Sequence, residues 1–350
     1  MNKFKSIISN RFGGDLYKEL LKVSAVKKEY ANEQGCLEKA LLKRKSYLIA
    51  ALFLGNHKMT IKYRKYLFKV LSDIYSSKED ANLLDFNGIY IPKPQTNDDI
   101  VSFAAEFLGH FMYNTVSNKT LCDMLNIQGP YENGEVAILK DDIFIDAGAN
   151  IGLNSAVAGK KGALVHAFEP NKLIIDRYLS VTAKYNPNIQ VHNYALYDKE
   201  DVLKFSVGNN ISAGALSTLK NSEKSCREMD VQAITLDSFV NKCNIPQIDF
   251  IKADIEGAER NMLMGAKNVL LDFAPKLSIC KYHLPDDPEV IRDIILSSNH
   301  NYIINEKFDV IYAHVPNRKR SNTHLKTTSI LTSTIFVALA TVVVRFFSLN

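Results

Sequence analysis

Asp142-Ile143-Phe144-Ile145-Asp146-Ala147-Gly148-Ala149-Asn150-Ile151-Gly152 decides the fold. Apolar residues lead to an acid, and a glycine-rich turn then opens a helical stretch at 154–159. A strand that ends in such a turn places it at the carboxyl edge of an open α/β sheet, where ligands bind. Working outward, the next apolar run, 164–168, ends at Phe168-Glu169-Pro170-Asn171. Glu169 follows Asp146 by 23 residues, close to the separation at which an acid reaches a ribose diol.

The turn also discriminates between nucleotides. A dinucleotide site needs G-x-G-x-x-G so that the backbone can approach a pyrophosphate. Here Gly148 and Gly152 flank Ala149 and Asn150, and the middle glycine is missing. A carboxylate at Asp146 repels phosphate and suits the ammonium group of S-adenosylmethionine, met directly or through water; the sulfur of that cofactor is also cationic. The pattern therefore favours S-adenosylmethionine over NAD, and an NAD-dependent oxidoreductase is disfavoured.

A second strand-to-helix junction is Ile248-Asp249-Phe250-Ile251-Lys252-Ala253-Asp254-Ile255-Glu256-Gly257-Ala258-Glu259. Asp254 falls at the strand tip, near the expected point of group transfer. Glu256 and Glu259 are three apart and share one face of the helix start, where acids also meet the helix dipole favourably. Apolar runs at 143–145, 164–168, 189–194, 250–253 and 276–280 alternate with helical segments at 154–159, 172–185, 258–271 and 288–297. That alternation predicts a mainly parallel sheet with helices on both faces. The segments 202–207 and 231–235 read as an added antiparallel pair.

These motifs resemble the FkbM-type methyltransferases. The resemblance rests on Tyr131-Glu132, Asp146 to Gly152, Phe168-Glu169-Pro170, Asn193-Tyr194-Ala195-Leu196-Tyr197-Asp198, Thr235-Leu236-Asp237 and Lys252 to Glu259, in that order, with Cys280-Lys281-Tyr282-His283 as a further match. It covers about 129–316 and implies a class I, Rossmann-like, S-adenosylmethionine-dependent methyltransferase acting on hydroxyls of sugars or secondary metabolites. It further implies that Asp146, Gly148, Asn150, Gly152 and Glu169 hold the cofactor. By the same resemblance Asn193 and Ala195 border the adenine, and Tyr131 closes over the site.

Methyl transfer to a hydroxyl is an in-line displacement that gains from positioning and from a base. Asp254 and His283 are the candidate catalytic groups, and Lys252 orients Asp254 or the acceptor. Asp254, Glu256 and Glu259 are alternatively a set of oxygen ligands for Mg²⁺, which nothing else in the sequence requires.

The ends of the chain differ from its middle. The 350 residues have a formal net charge of +5. Residues 1–80 hold 17 basic and 8 acidic residues, and 317–350 hold five basic residues and no acid, so the middle is net −9. The expected organisation is a basic helical region at 1–96, a catalytic domain at 97–316, and a basic linker with a C-terminal anchor at 317–350. Residues 327–344 contain no charge and follow Arg318, Lys319, Arg320 and Lys326. As a helix they would span about 27 Å at ~1.5 Å per residue, against a hydrocarbon core of ~30 Å, with the basic flank on the cytoplasmic side. A membrane-associated enzyme with a cytoplasmic catalytic body is the expectation, and a soluble cytoplasmic protein is the alternative. A further alternative is a catalytically degenerate fold serving as a membrane scaffold. The odd set of five cysteines lacks C-x-x-C spacing and argues against a disulfide framework. The N-terminus lacks a signal-peptide core, and no nucleic-acid-binding motif is present.

Overall fold

The computed structural model describes residues 75–112 except 87, 97 and 98, 130–207, 215–216, and 227–318 except 308, with a few positions between 65 and 73. Most of the basic helical region and the segment 327–344 lie outside the described residues. Among the described residues no helix is long and apolar enough to cross a membrane.

β1 (Leu83–Asp85) and β2 (Tyr90–Pro92) form a small hairpin, followed by α1 (Asp99–Met112). The central sheet begins with β3 (Ile143–Ala147), α2 (Leu153–Lys160) and β4 (Leu164–Phe168). α3 (Lys172–Ile174), a π-helical stretch (Ile175–Leu179) and α4 (Ser180–Tyr185) make one broken helix leading to β5 (Ile189–His192). The added layer comprises β6 (Ala195–Leu196), β7 (Asp201–Val207), β8 (Ala215–Leu216) and β9 (Arg227–Ile234). α5 (Leu236–Cys243) returns the chain to β10 (Phe250–Ala253). α6 (Glu259–Met264), a second π-helical stretch (Val269–Phe273), β11 (Lys276–Cys280), α7 (Asp287–Ser298), β12 (Ile303–Lys307) and β13 (Val310–His314) complete it.

The seven-stranded sheet has the order β12-β13-β11-β10-β3-β4-β5. Its five core strands pair in parallel, and β13 inserts antiparallel between β11 and β12. The chain winds from β3 outward to β5, then crosses back to β10 on the other side of β3. The strand order therefore reverses between β3 and β10, and a ligand crevice belongs there.

All five predicted core strands are present, two with shifted ends. β7 and β9 pair antiparallel as expected, and they belong to a four-stranded sheet of order β6-β9-β7-β8. The helix expected over 258–271 is broken: α6 stops at Met264 and Gly265 follows. A Cβ at Gly265 would lie 2.0 Å from the Tyr197 carbonyl oxygen, so close backbone approach fixes glycine there.

The core strands read as continuous apolar runs because both faces are covered. One face packs Phe144, Val165, Ala167 and Phe250 with Tyr178, Phe103 and Phe107 of the flanking helices. Phe68, Leu84, Phe86 and Ile91 join this same cluster, so the β1–β2 hairpin buries its apolar side against the central sheet and its helices. The other face packs Ile145, Ile251 and Ile279 with Phe239, Leu263 and Ile291. Arg318 was read as part of a membrane-flanking cluster, but it docks on the body. Its guanidinium donates to Asp249 Oδ1 at 3.0 Å and to the Ile248 carbonyl at 2.6 Å.

On β4 and β5 His166 Nδ1 lies 3.0 Å from His192 Nε2. Burial lowers both pKa values to about 4. Their neutral forms therefore contribute stability that is fully present above the unfolded value near 6.5 and is lost as pH falls toward 4. Denaturation midpoints measured across that window should fall for the wild type. The fall should be shallower for a His166→Phe, His192→Leu double variant.

Candidate active site

The site grows from the tips of β3 and β10, which the parallel register brings side by side with Lys252 opposite Asp146. Gly148 turns the chain at the end of β3 with φ +73, and a Cβ there would meet the Asp254 carbonyl oxygen at 2.1 Å. Only glycine lets the two strand ends come this close. Gly148→Ala should therefore destabilise the fold by more than the ~1–2 kcal/mol of a left-handed alanine, read as a lowered denaturation midpoint. Gly152 also has positive φ, +86, with Leu179 and Thr182 packed where a Cβ would go. The Gly148 and Ala149 N–H groups donate to the Phe168 carbonyl, each at 3.0 Å, tying the turn to the end of β4.

Asp146 sits at the strand tip as read, but its carboxylate is enclosed. Oδ1 lies 3.0 Å from Lys252 Nζ, Oδ2 accepts from Ser155 Oγ at 2.6 Å, and the residue is fully buried. Lys252 also donates to the Gly148 carbonyl at 2.9 Å and lies 5.2 Å from the centre of the Tyr131 ring. Burial works against its charge, but the charges of Asp146 and Asp254 prevail and raise its pKa. Lys252 is thus a fixed cation beneath the glycine turn, a more structural place than the sequence suggested.

Glu169 is at the end of β4 with both oxygens engaged: Oε2 accepts from Asn150 N at 3.1 Å and Oε1 from Asn171 N at 2.9 Å. Burial raises its pKa to about 7 against those bonds. Asn193 donates to the Glu169 and Pro170 carbonyls at 3.0 and 2.9 Å, so its amide supports the loop backbone. Ala195 lines an apolar pocket with Gly148, Phe168, Tyr194, Phe205 and Ile255. Phe205 comes from β7, in the added sheet, and had no signal in the motifs.

Asp254 gathers the second constellation. It accepts from Tyr131 Oη at 2.8 Å and from Tyr282 Oη at 3.0 Å. Burial favours its neutral form, but Lys252, His283 and the two tyrosines outweigh that and lower its pKa. His283 Nε2 is 3.7 Å from Asp254 Oδ1 and 3.8 Å from Glu256 Oε2, while Nδ1 is 3.2 Å from Glu259 Oε1. Burial opposes the imidazolium, yet the bond to Glu259 and the surrounding acids raise its pKa to about 9. Glu259 is fully buried and accepts from the Ile255 and Gly257 N–H groups at 2.8 and 3.0 Å. Asp254, Glu259 and His283 offer ligand atoms within 4.8 Å of one another, a spacing compatible with one divalent cation. Glu256, also named for Mg²⁺, is about one-third exposed at the rim.

A further site residue also escaped the sequence reading. Glu106, on α1, is half-buried, and its Oε1 accepts from the Asn150 side chain. Burial raises its pKa to about 8. Its signal was an acid on an apolar helix face, since Phe103, Ala104 and Phe107 around it are all buried.

The 6-7-5-4-1-2-3 strand order, with strand 7 antiparallel to its neighbours, and an acid at the tips of the first, second and fourth core strands define a class I methyltransferase fold. Residues 146–304 match the family model of the methyltransferase FkbM domain. The chain is similar to the hexuronic acid methyltransferase AglP of Haloferax volcanii, 27% identical over 156 residues, covering 45% of this chain and 62% of that relative. The match thus spans less than two-thirds of the relative's length. Among solved structures, a methyltransferase FkbM from Methylobacillus flagellatus shares 18% identity with a TM-score of 0.41, covering 63% of this chain and 55% of that one. The Methanococcus jannaschii fibrillarin pre-rRNA processing protein shares 15% identity with a TM-score of 0.32, covering 52% of this chain and 69% of that one.

Proposed function

We propose that the protein is an S-adenosylmethionine-dependent O-methyltransferase acting on a hydroxyl of a saccharide or glycolipid. The observation that supports this most is the crevice at the tips of β3, β4 and β10. It is apolar at one end, at Phe168, Ala195 and Phe205, and ringed by Asp146, Glu169, Asp254 and Glu106 around one lysine at the other. An adenine fits the first end, and a sulfonium with an ammonium group fits the second. When bound, the cofactor supplies a methyl group activated by the cationic sulfur.

The residues of this chain then have distinct work. Glu169, backed by the Asn150 and Asn171 N–H groups, faces the ribose. Asp254, held by Tyr131 and Tyr282, accepts a hydrogen bond from the acceptor and fixes its oxygen in line with the methyl carbon. His283, once neutral, takes the acceptor's proton at Nε2 as the new C–O bond forms and the C–S bond breaks. Glu259 keeps the Nδ1–H tautomer. The saccharide class rests on the similarity to a hexuronic acid methyltransferase. Mg²⁺ at Asp254, Glu259 and His283 would compete with this proton path. Chelator-treated protein should therefore keep its activity, and loss restored by Mg²⁺ would reassign the cluster to metal binding.

Equilibrium binding of labelled S-adenosylmethionine tests the first step. The wild type should bind it and Glu169→Ala should weaken binding by about tenfold or more. Absence of binding by the intact protein would overturn the reading. Methyl transfer to a panel of hexuronic-acid glycans tests the second. The same proposal places the enzyme at a membrane through residues 327–344, which lie outside the described residues. Deleting 327–350 should move the protein from the membrane fraction to the supernatant.

A further inference from the structure

We propose that Glu106, on the helix before the family domain, is the carboxylate that receives the ammonium group of the cofactor's amino-acid end. This rests on the S-adenosylmethionine reading above and assigns a contact from a residue 40 positions upstream of the matched segment. In the sequence, Asp146 was the natural candidate for that ammonium. The structure removes it, because Lys252 and Ser155 already take its two oxygens and it is fully buried.

The other acids already have partners and other work in the proposed reaction, Glu169 at the ribose and Asp254 at the acceptor. Both oxygens of Glu169 accept backbone N–H groups. Both oxygens of Asp254 accept tyrosine hydroxyls. Glu106 differs from them in two respects. It reaches over the cofactor turn to the Asn150 side chain through Oε1, and no hydrogen bond to Oε2 is seen among the described residues; like Asp254, and unlike Asp146 and Glu169, it also retains partial exposure. Asn150 itself is held in a left-handed conformation, φ +49, between the two glycines. The contact therefore fixes the carboxylate over the same turn that a class I fold presents to the cofactor. The local charge agrees: Asp146, Glu169, Asp254 and Glu106 all act on one Lys252, so the crevice as built is short of cations. Burial of Glu106 holds it near protonation in the free protein, and a bound ammonium would restore its charge.

Glu106→Gln removes the charge and keeps an oxygen for Asn150. S-adenosylhomocysteine carries the amino-acid end, and 5′-methylthioadenosine shares its nucleoside and sulfur but lacks that end. Calorimetric titration of both into full-length wild type and Glu106→Gln separates the contributions. The expected result is an about 10- to 100-fold weaker S-adenosylhomocysteine affinity with 5′-methylthioadenosine unchanged. An equal weakening of both ligands would make Glu106 a support of the turn, and no weakening of either would remove it from the site; both outcomes overturn the proposal. Failure of the wild type to bind either probe would instead bring down the underlying S-adenosylmethionine reading, and this assignment with it.

Discussion

Lys252→Met should lower the stability of the protein by about 3–5 kcal/mol, the range for removing one partner of a buried ion pair. The side chains of Lys252 and Asp146 are 3% and 0% exposed. Methionine fills a similar volume, so the loss is mainly electrostatic. Asp146 would be left buried with only Ser155 to bond it, and Asp254 would lose the cation that does most to lower its pKa. The Gly148 carbonyl, held at 2.9 Å, would lose its donor, and the turn with it. Two effects should separate in a double-mutant cycle. Asp146→Asn in the Lys252→Met background should recover part of the stability, because a neutral amide costs less to bury than an unpaired carboxylate. Cofactor binding should not return, since the turn still lacks its donor. Urea denaturation of the four proteins measures the first effect and labelled-cofactor binding the second. A Lys252→Met protein within about 0.5 kcal/mol of wild type would show that the pair is solvated.

That pairing also marks where the sequence stopped being informative. Asp146 and Glu169 were placed at strand tips from local pattern alone, and they are there. The partner of Asp146 is set by the register of β10 against β3, which joins residues 106 positions apart in the chain. Nothing local encodes that register. So the sequence directs Asp146 to the cofactor and Lys252 to Asp254 or the acceptor, and only the fold adds that each is the other's counterion. Glu106 was hidden for a different reason. It precedes the resembling segment and touches the site only because α1 packs its Phe103 and Phe107 face into the cluster beneath β3.

The closing hairpin shows the limit of periodicity. β12, Ile-Ile-Asn-Glu-Lys, is an edge strand exposed along most of its length, so it lacks the apolar run that revealed the buried parallel strands. β13, Val-Ile-Tyr-Ala-His, is buried at four of five positions yet follows its partner too closely to read as a βαβ unit. The Glu259–His283 contact was likewise unseen. Glu259 was read as one of three acids, while its carboxylate locks the turn after β10 through the Ile255 and Gly257 N–H groups. His283 arrives from the loop after β11, the strand beside β10. Parallel neighbours bring both loops to the same edge, which is why two weak motifs converge on one cluster.

The pH dependence of turnover should follow from that convergence. With its pKa raised to about 9, His283 is protonated in the free enzyme at neutral pH, and a base must first lose that proton. Because kcat/KM reports the pKa values of the free enzyme, it should rise about tenfold per pH unit below the His283 pKa and level off near 9. Stability should run the other way. A group whose folded pKa lies above its unfolded value, here near 6.5, contributes stability that is full below that value and is lost as pH rises through about 9. On the proposed mechanism, activity therefore rises over the same window in which the cluster of His283, Asp254, Glu256 and Glu259 loses its internal cation. His283→Gln should cut kcat by about 10²- to 10⁴-fold and flatten the profile, while cofactor affinity stays near wild type because the proposed role of the imidazole is toward the acceptor's proton. Glu259→Gln should act through the histidine, shifting the inflection downward as the imidazolium loses its closest carboxylate. A wild-type profile flat between pH 6 and 9, or a His283→Gln enzyme that keeps the wild-type inflection, would move the proton acceptor to another group.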